Sequence, residues 1–473
     1  MTTNQTRERV TALEKESSGM TSTGNIAYSS DITPESVMDV LRQHLLVDGF
    51  DIIFDLKRSK GSYVFDSKRK KYFLDFFTFF ASSPIGFNHP KMTSPEFLER
   101  LARVSVHKPS SSDSYTVEMA EFMDVFSKVA IPDYLPHAFL IEGGALAVEN
   151  ALKASFDYRM RKNLEAGYYR SDGDEDRMVI LHFRRAFHGR SGYTLSLTNT
   201  DPIKTKYFPK FHWPRIHNPV MRFPLNEENI SYVRHEEEIA LSQLKQAIAE
   251  HGRDIAALII EPVQAEGGDN HFRKEFFEGL REVCSENDII MIMDEVQTGI
   301  GITGKMWAHQ HYVKPDIISF GKKTQVCGIL AGPKFDTISE NVFNTAGRLN
   351  STFGGNLTDM VRFAKYLEVI DEERLVENAA KVGDYLLSRL REIEAEYPAL
   401  VSNTRGLGLL CAFDMPSGQK RLELRQNAFD KGLLLIGCGE RTIRFRPPLN
   451  LSESEVDEGI SIIKSALSRL SGR

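Results

Sequence analysis

Lys322 and Lys323 stand directly beyond the apolar run Ile317–Phe320, in the stretch DIISFGKKTQVCG. A run that apolar fits a strand covered on both faces, as in a parallel α/β sheet, and such sheets bind ligands beyond their carboxyl strand ends. A lysine delivered there can form a Schiff base with a carbonyl compound. Read alone, a lysine just past a strand is more often a solvated loop charge. Asp294 closes a second apolar run, Ile289–Met293. A carboxylate in that position can hold a pyridine-type nitrogen protonated, since nearby opposite charges favour each other, or it can cap a neighbouring loop.

Three further groups fit the same geometry. Gly143-Gly144-Ala145 separates a strand from a helix; such a turn offers backbone N–H groups and a helix dipole to an anion such as phosphate, or is a plain connection. Phe187-His188-Gly189-Arg190 follows another strand end, where an aromatic can stack on a planar ligand and an arginine can grip a carboxylate. A core phenylalanine and a surface arginine are the alternative there. Arg444, in TIRFRPPLN, lies on an apolar strand and needs a partner if buried. Glu266 is a candidate for that partner. Gly299-Ile300-Gly301-Ile302-Thr303-Gly304 matches the dinucleotide pattern GxGxxG, but Asp294–Thr298 intervene between strand and first glycine. Asp316 opens the next strand, where a ribose-binding acid should close it, so the dinucleotide reading is rejected.

The elements that must position these groups are short apolar strands alternating with helices. Strands are expected at His137–Ile141, Met178–Phe183, Ile255–Ile260, Ile289–Met293 and Ile317–Phe320, with a helix over Leu146–Phe156. Phe272, Phe276, Leu280 and Val283 share one face of another helix. The pattern indicates an α/β fold with a mostly parallel sheet flanked by helices. Arg161–Arg177 reads as a surface excursion. Upstream, Thr33-Pro34-Glu35 opens a helix, Gly61–Asp66 and Lys71–Phe76 pair across the turn Ser67–Lys70, and residues 77–90 read as a buried loop. Downstream, helices lead to strands at Gly406–Asp414, Leu433–Ile436 and Thr442–Arg446, and a final helix capped by Ser452 with Glu455. The chain therefore divides into a disordered extension over residues 1–30, a segment over 31–90 that completes a smaller α+β domain, a large domain over 91–357, and the rest of the small domain over 358–473.

Composition bounds the function. The 473 residues carry 59 basic and 65 acidic side chains, a net charge of −6 without long runs of either sign, which disfavours nucleic acid as a partner. No apolar run approaches a membrane span, and the first residues lack the apolar core of a signal peptide. Cys284, Cys327, Cys411 and Cys438 lie far apart, so neither a metal site nor a disulfide framework is indicated. A reduced, cytoplasmic protein is the simplest inference.

The order of these motifs resembles the class III pyridoxal-phosphate aminotransferases, the ω-aminotransferase family, from about residue 40 onward. DEVQTGIGITGK is similar to the family's aspartate motif and FGKK to its lysine motif, and Thr352 of NSTFGGN lies 30 positions beyond Lys322. That spacing selects Lys322 over Lys323. VDGFDIIFDLKRSKG, LDFFTFFASS, FHGRSGYTLSLTNT, EGGDNHFRKEFF and FGKKTQVCG resemble the branch acting on the ε-amine of L-lysine, with the ornithine and 4-aminobutyrate branches and an aminomutase as alternatives.

The resemblance implies the fold type I architecture of pyridoxal-phosphate transferases, pyridoxal 5'-phosphate as cofactor, and L-lysine and 2-oxoglutarate as substrates. It implies that Lys322 carries the cofactor and shuttles the proton. Asp294 would then charge the ring nitrogen, Gln297 would contact the ring hydroxyl, and Val296 and Phe187, beside His188, would enclose the ring. Gly144 and Ala145, with Ser351 and Thr352 of a neighbouring copy, would hold the phosphate, so a homodimer with shared sites follows. Arg190, Glu266, Asn350 and Arg444 would bind substrate, and Lys323 would lend its charge to the site. Two departures stand out: Glu-Gly-Gly-Ala-Leu-Ala replaces a serine-glycine-threonine type of phosphate turn, and Ala265 precedes Glu266 where many members have glycine.

Overall fold

A computed structural model of the chain describes residues 31–170 and 172–471. The expectation for residues 1–30 lies outside them. Of the described residues, those from Asp31 to Ile53 together with Ser67–Lys70 form one compact unit, and Phe54–Asp66 with those from Lys71 onward form a second. In the first, the N–H and hydroxyl of Ser36 donate to the Thr33 carbonyl at 3.0 and 3.1 Å. This turn delays the helix to Val37–Arg42, later than the Thr33 cap read from sequence.

In the second unit, β1 (Tyr63–Asp66) and β2 (Lys71–Asp75) pair antiparallel. The chain then makes a left-handed turn over Thr78–Ala81, with φ of 41, 52, 61 and 67°. Such a turn costs about 1–2 kcal/mol per residue, so it must be held from outside. The buried Asp75 accepts from the N–H groups of Phe77 and Thr78 at 2.8 and 2.9 Å, and the Thr78 hydroxyl donates to the Arg446 carbonyl at 2.6 Å. Phe79 and Phe80 are left exposed at its tip. The reading of this stretch as a buried loop is thus corrected for those two rings.

Seven strands build the main sheet: β3 (His137–Ile141), β4 (Val179–Phe183), β5 (Arg215–Ile216), β6 (Ile255–Ile260), β7 (Ile290–Asp294), β8 (Ile317–Phe320) and β9 (Cys327–Ala331). Their order is β3-β9-β8-β7-β6-β4-β5, parallel from β8 through β5, with β9 antiparallel to both its neighbours. Alternate residues face opposite cores. Ile290 and Ile292 join Val148, Ala151 and Ile180 on one face, while Met291 and Met293 join Phe276, Leu280 and Phe183 on the other. The long helix Gly144–Glu165 packs across β6, β8 and β9 on the first of these faces. It extends well past Phe156, and Tyr169 beyond it is buried, donating to Asp254 at 2.8 Å. Arg161–Arg177 is therefore only partly a surface excursion.

Two strands of this sheet escaped the sequence reading. β5 has only two residues, and β9 contains Gly328, where a Cβ would lie 2.2 Å from the Phe139 carbonyl oxygen. Close strand approach explains the glycine, and the glycine weakens the strand signal.

The remaining strands are β10 (Ser402–Leu407), β11 (Leu410–Asp414), β12 (Leu433–Leu434), β13 (Ile436–Cys438) and β14 (Thr442–Phe445). β10-β11-β14-β13 form an antiparallel sheet, and β12 adds in parallel to β2. GLGLLCAFD is thus a hairpin turning at Gly408 (φ +57°) rather than one strand, and Leu433–Ile436 divides between two sheets. The final helix, Glu453–Ser471, begins with the reciprocal Ser452–Glu455 cap.

Gly383 lies within the helix Leu375–Glu396, and a Cβ there would come 2.1 Å from the Gly408 carbonyl carbon. Helix propensity favours alanine over glycine by about 1 kcal/mol. Here the obstacle is backbone at a turn, which cannot rotate aside. Gly383→Ala should therefore destabilise by roughly 1–3 kcal/mol, read as a lowered midpoint of thermal inactivation; a raised midpoint would refute the contact.

Candidate active site

A cavity of about 420 Å³ opens beyond the carboxyl ends of the central strands. Its walls come from four strand ends: Gly144 and Ala145 after β3, Phe187–Ser191 after β4, Glu261 and Glu266 after β6, and Asp294, Val296 and Gln297 after β7. Lys322, after β8, completes the lining.

The anion end is built by small residues. Gly143 has φ +94° and caps the Gly144–Glu165 helix without any side-chain hydrogen bond, leaving the first-turn N–H groups for another acceptor. A Cβ on Gly144 would sit 2.9 Å from the Val296 side chain, and one on Gly189 would sit 2.6 Å from the Ala145 Cβ. The glycines therefore let three loops close around one point.

Asp294 is fixed by three donors at the end of β7. Its Oδ2 pairs with His188 Nδ1 at 2.8 Å, and Oδ1 accepts from the Val296 N–H at 3.0 Å and the Ser319 hydroxyl at 3.2 Å. Three donors on one carboxylate fix its orientation toward the cavity. Beside it Glu261 is buried, accepting from the N–H groups of Phe187 and Ala265 at 3.0 and 3.2 Å. Burial pushes the Glu261 carboxyl up to about 7; Asp294 adds to the rise and His188 opposes it.

Lys322 takes a left-handed conformation, φ +55°, directly after Gly321. Burial, then the Arg444 charge, lowers its amine to about 8, against the pull of Asp294, Glu261 and Glu266. The amine is thus a better nucleophile and base near neutral pH than a solvated lysine. Lys323 instead points into protein, donating to the Gln297 carbonyl at 2.7 Å. Burial first, then Lys322 and Arg446, hold it well below an ordinary lysine. The expectation that its charge shapes the site is corrected: it acts as a hydrogen-bond tie.

Arg444 on β14 is buried, and its Nη2 meets Glu266 Oε2 at 2.7 Å. The other Glu266 oxygen is bonded by Lys204. Burial raises the Glu266 carboxyl, but Arg444 and Lys204 outweigh it and hold it below its ordinary value. Gln297 Oε1 accepts from Arg444 Nη1 at 3.2 Å and Arg446 Nε at 3.0 Å. Guanidinium groups only donate, so this oxygen is committed and the Gln297 NH₂ is left for another acceptor.

The family profile of the class III aminotransferases matches residues 47–467. The chain belongs to the class III aminotransferases. It is 50% identical over 437 residues to the L-lysine-epsilon aminotransferase of Mycobacterium bovis, covering 92% of this chain and 96% of that protein. Identity to the L-lysine-epsilon aminotransferase of Streptomyces clavuligerus is 42%, over 94% of this chain and 96% of the relative. Among solved structures, the lysine aminotransferase from M. tuberculosis in the internal aldimine form superposes with a TM-score of 0.89. It shares 49% identity, over 92% of this chain and 99% of that one.

Of the residues expected in the site of this aminotransferase, Gly144, Ala145, Phe187, His188, Arg190, Glu266, Asp294, Val296, Gln297 and Lys322 share the cavity. Arg444 reaches it through Glu266 and Gln297. Asn350, Ser351 and Thr352 do not line it: the Asn350 side chain accepts from the Ser351 N–H, and the Ser351 carbonyl from the Ser112 hydroxyl. Glu261, Ser191 and Lys204 were not anticipated. Glu261 ends an apolar strand as Asp294 does, so the same signal could have found it; Lys204 sits in a polar stretch without one.

The Glu261 shift has a testable sign. With a folded value near 7 against an ordinary 4.5, the folded aminotransferase binds the extra proton across that window. The contribution is fully present below 4.5 and lost as pH rises through 7. The melting temperature of cofactor-free protein, relative to Glu261→Gln, should fall with rising pH across this window and level off above it. A constant difference would show that the carboxyl ionises normally.

Proposed function

We propose that this aminotransferase is an L-lysine 6-transaminase using pyridoxal 5'-phosphate. It moves the ε-amino group of L-lysine to 2-oxoglutarate in two alternating half-reactions. The products are 2-aminoadipate 6-semialdehyde, which cyclises, and L-glutamate. The observation that carries the reading is the 2.7 Å pair of Glu266 and Arg444 at the edge of the cavity holding Lys322 and Asp294. The relatives named above support the choice of donor.

The residues present fit the cofactor. The uncapped helix start at Gly144, with a cradle that a Cβ would fill, suits a phosphate; the three-donor Asp294 suits a pyridinium. When bound, the cofactor supplies an electron sink for the carbanion at the substrate carbon. The chain's own residues do the rest. Gly144 and Ala145 would hold the phosphate by N–H groups, Asp294, with His188 behind it, would pair with a protonated ring nitrogen, and the Gln297 NH₂ would donate to the ring hydroxyl. Phe187 and Val296 exclude water from the ring faces. Lys322, its amine lowered to about 8, takes the proton from the substrate carbon as a general base. Asn350, Ser351 and Thr352 serve the site of a second copy, making a homodimer with shared sites. On this reading residues 91–357 form the cofactor-holding domain, and residues 31–90 with 358–473 the smaller one.

Substrate logic follows from charge. L-lysine brings one carboxylate, gripped by Arg190; 2-oxoglutarate brings two, the second for Arg444. An unpaired buried charge costs about 3–5 kcal/mol, more than the roughly 1.5–3 kcal/mol of one charged hydrogen bond. Glu266 therefore pairs with Arg444 while L-lysine is bound and moves aside for the keto acid.

Purified enzyme should use L-lysine in preference to ornithine and 4-aminobutyrate, with turnover dependent on 2-oxoglutarate; preference for either other donor defeats the assignment. Glu266→Ala should lower kcat/KM for L-lysine by roughly 10- to 100-fold while changing that for 2-oxoglutarate less than about threefold. Equal losses in both half-reactions would remove the switch. Lys322→Ala should abolish turnover and the visible absorption of the bound cofactor.

A further inference from the structure

Glu266 is bonded by two cations at once, one to each oxygen: Arg444 at Oε2 and Lys204 at Oε1. The two cations differ in freedom. Arg444 is 1% exposed on a sheet strand, while Lys204 ends the single turn Pro202–Lys204, and its side chain and that of Glu266 are each 24% exposed. That turn is capped by Asp201, which accepts from the Ile203 N–H at 3.0 Å, and Lys204 lies 5.4 Å from the centre of the Phe187 ring. Among the described residues, Lys204 forms no other ion pair. A flexible four-carbon stem on a surface turn can follow a moving carboxylate; a buried guanidinium cannot.

We propose that Lys204 is the positioning residue that keeps Glu266 paired after it leaves Arg444, and so makes the site accept a second carboxylate. This rests on the two-substrate reading above. The charge count gives the reason. Arg444 and Glu266 alone sum to zero, so an incoming carboxylate would leave an excess negative charge in a half-buried space. With Lys204 the trio sums to +1, and the same carboxylate brings it to neutrality. Lys204 also competes with Arg444 for Glu266, which loosens the contact that the keto acid must replace. Binding of a monocarboxylate at Arg190 needs none of this.

The test uses the holoenzyme and two unreactive acids, glutarate with two carboxylates and hexanoate with one, with affinities measured by calorimetry. Lys204→Met should weaken glutarate about tenfold and raise KM for 2-oxoglutarate similarly, with kcat little changed, while hexanoate affinity stays within about twofold. Lys204→Arg should restore glutarate affinity to within about threefold. In a Glu266→Ala background, Lys204→Met should shift glutarate less than about threefold, because the carboxylate it holds is gone. Arg444→Met separates the two levels of the argument. If it leaves glutarate binding unchanged, the two-carboxylate reading itself is wrong. If it weakens glutarate while Lys204→Met does not, or if Lys204→Met weakens both acids equally, the role given to Lys204 falls alone.

Discussion

A guanidinium buried at a sheet must have a carboxylate; two such groups lie on strands of the small sheet and a third directly follows β14. Arg405, Arg444 and Arg446 are each at most 2% exposed. Two of them are closed pairs. Arg446 grips both oxygens of Asp269, itself fully buried, and Arg405 bonds Asp414 at 2.9 Å while also donating to the Gly268 and Asp269 carbonyls. Removing either partner would strand a charge inside protein, so these pairs hold the loop after β6 against the small sheet. Arg444 differs: its carboxylate is partly exposed, shared with Lys204, and bonded through one oxygen. Of three similar requirements, one has been left with a partner that can be exchanged.

In the proposed exchange, the fixed pairs supply the frame. Gly439 donates its N–H to the Glu266 carbonyl at 2.9 Å, and a Cβ on Gly267 would come 2.1 Å from the Arg185 carbonyl oxygen, so the backbone around Glu266 is held on both sides. What can move is the side chain. Gln297 is held in the same way, its carbonyl oxygen between Arg444 and Arg446 and its backbone carbonyl on Lys323. In that proposal, Arg444 would keep one neutral acceptor in Gln297 when Glu266 moves aside, limiting how far the guanidinium can turn.

Much of this was legible in the sequence because strand ends announce themselves. Ile255–Ile260 is apolar throughout, and Ile317–Phe320 is apolar except for Ser319; the structure gives both strands those limits. Asp294, Lys322 and Phe187 were found by position relative to such runs. The failures share a cause: a local signal too short or too mixed. β9 is interrupted by a glycine that strand contact demands, and β5 is two residues long. The turn at Thr78–Ala81 uses four non-glycine residues in a conformation that none of them favours, held by Asp75 just before it and by Arg446 from far along the chain. Lys204 and the commitment of Gln297 arise from long-range pairing, which periodicity and propensity do not register.

The adjacent lysines show most clearly what position decides. Lys322 and Lys323 have the same chemistry, both lose charge preference through burial, and one backbone step separates them. The left-handed φ of Lys322 turns its side chain into the cavity, and the next residue is directed the other way, onto the Gln297 carbonyl. Lowering an amine's affinity for protons is thus not enough to make it a catalyst. Lys323 is shifted in the same direction and does not line the cavity, whereas Lys322 combines its shift with access. Depressed basicity supplies reactivity, and the strained turn after β8 determines which of two equivalent groups can use it.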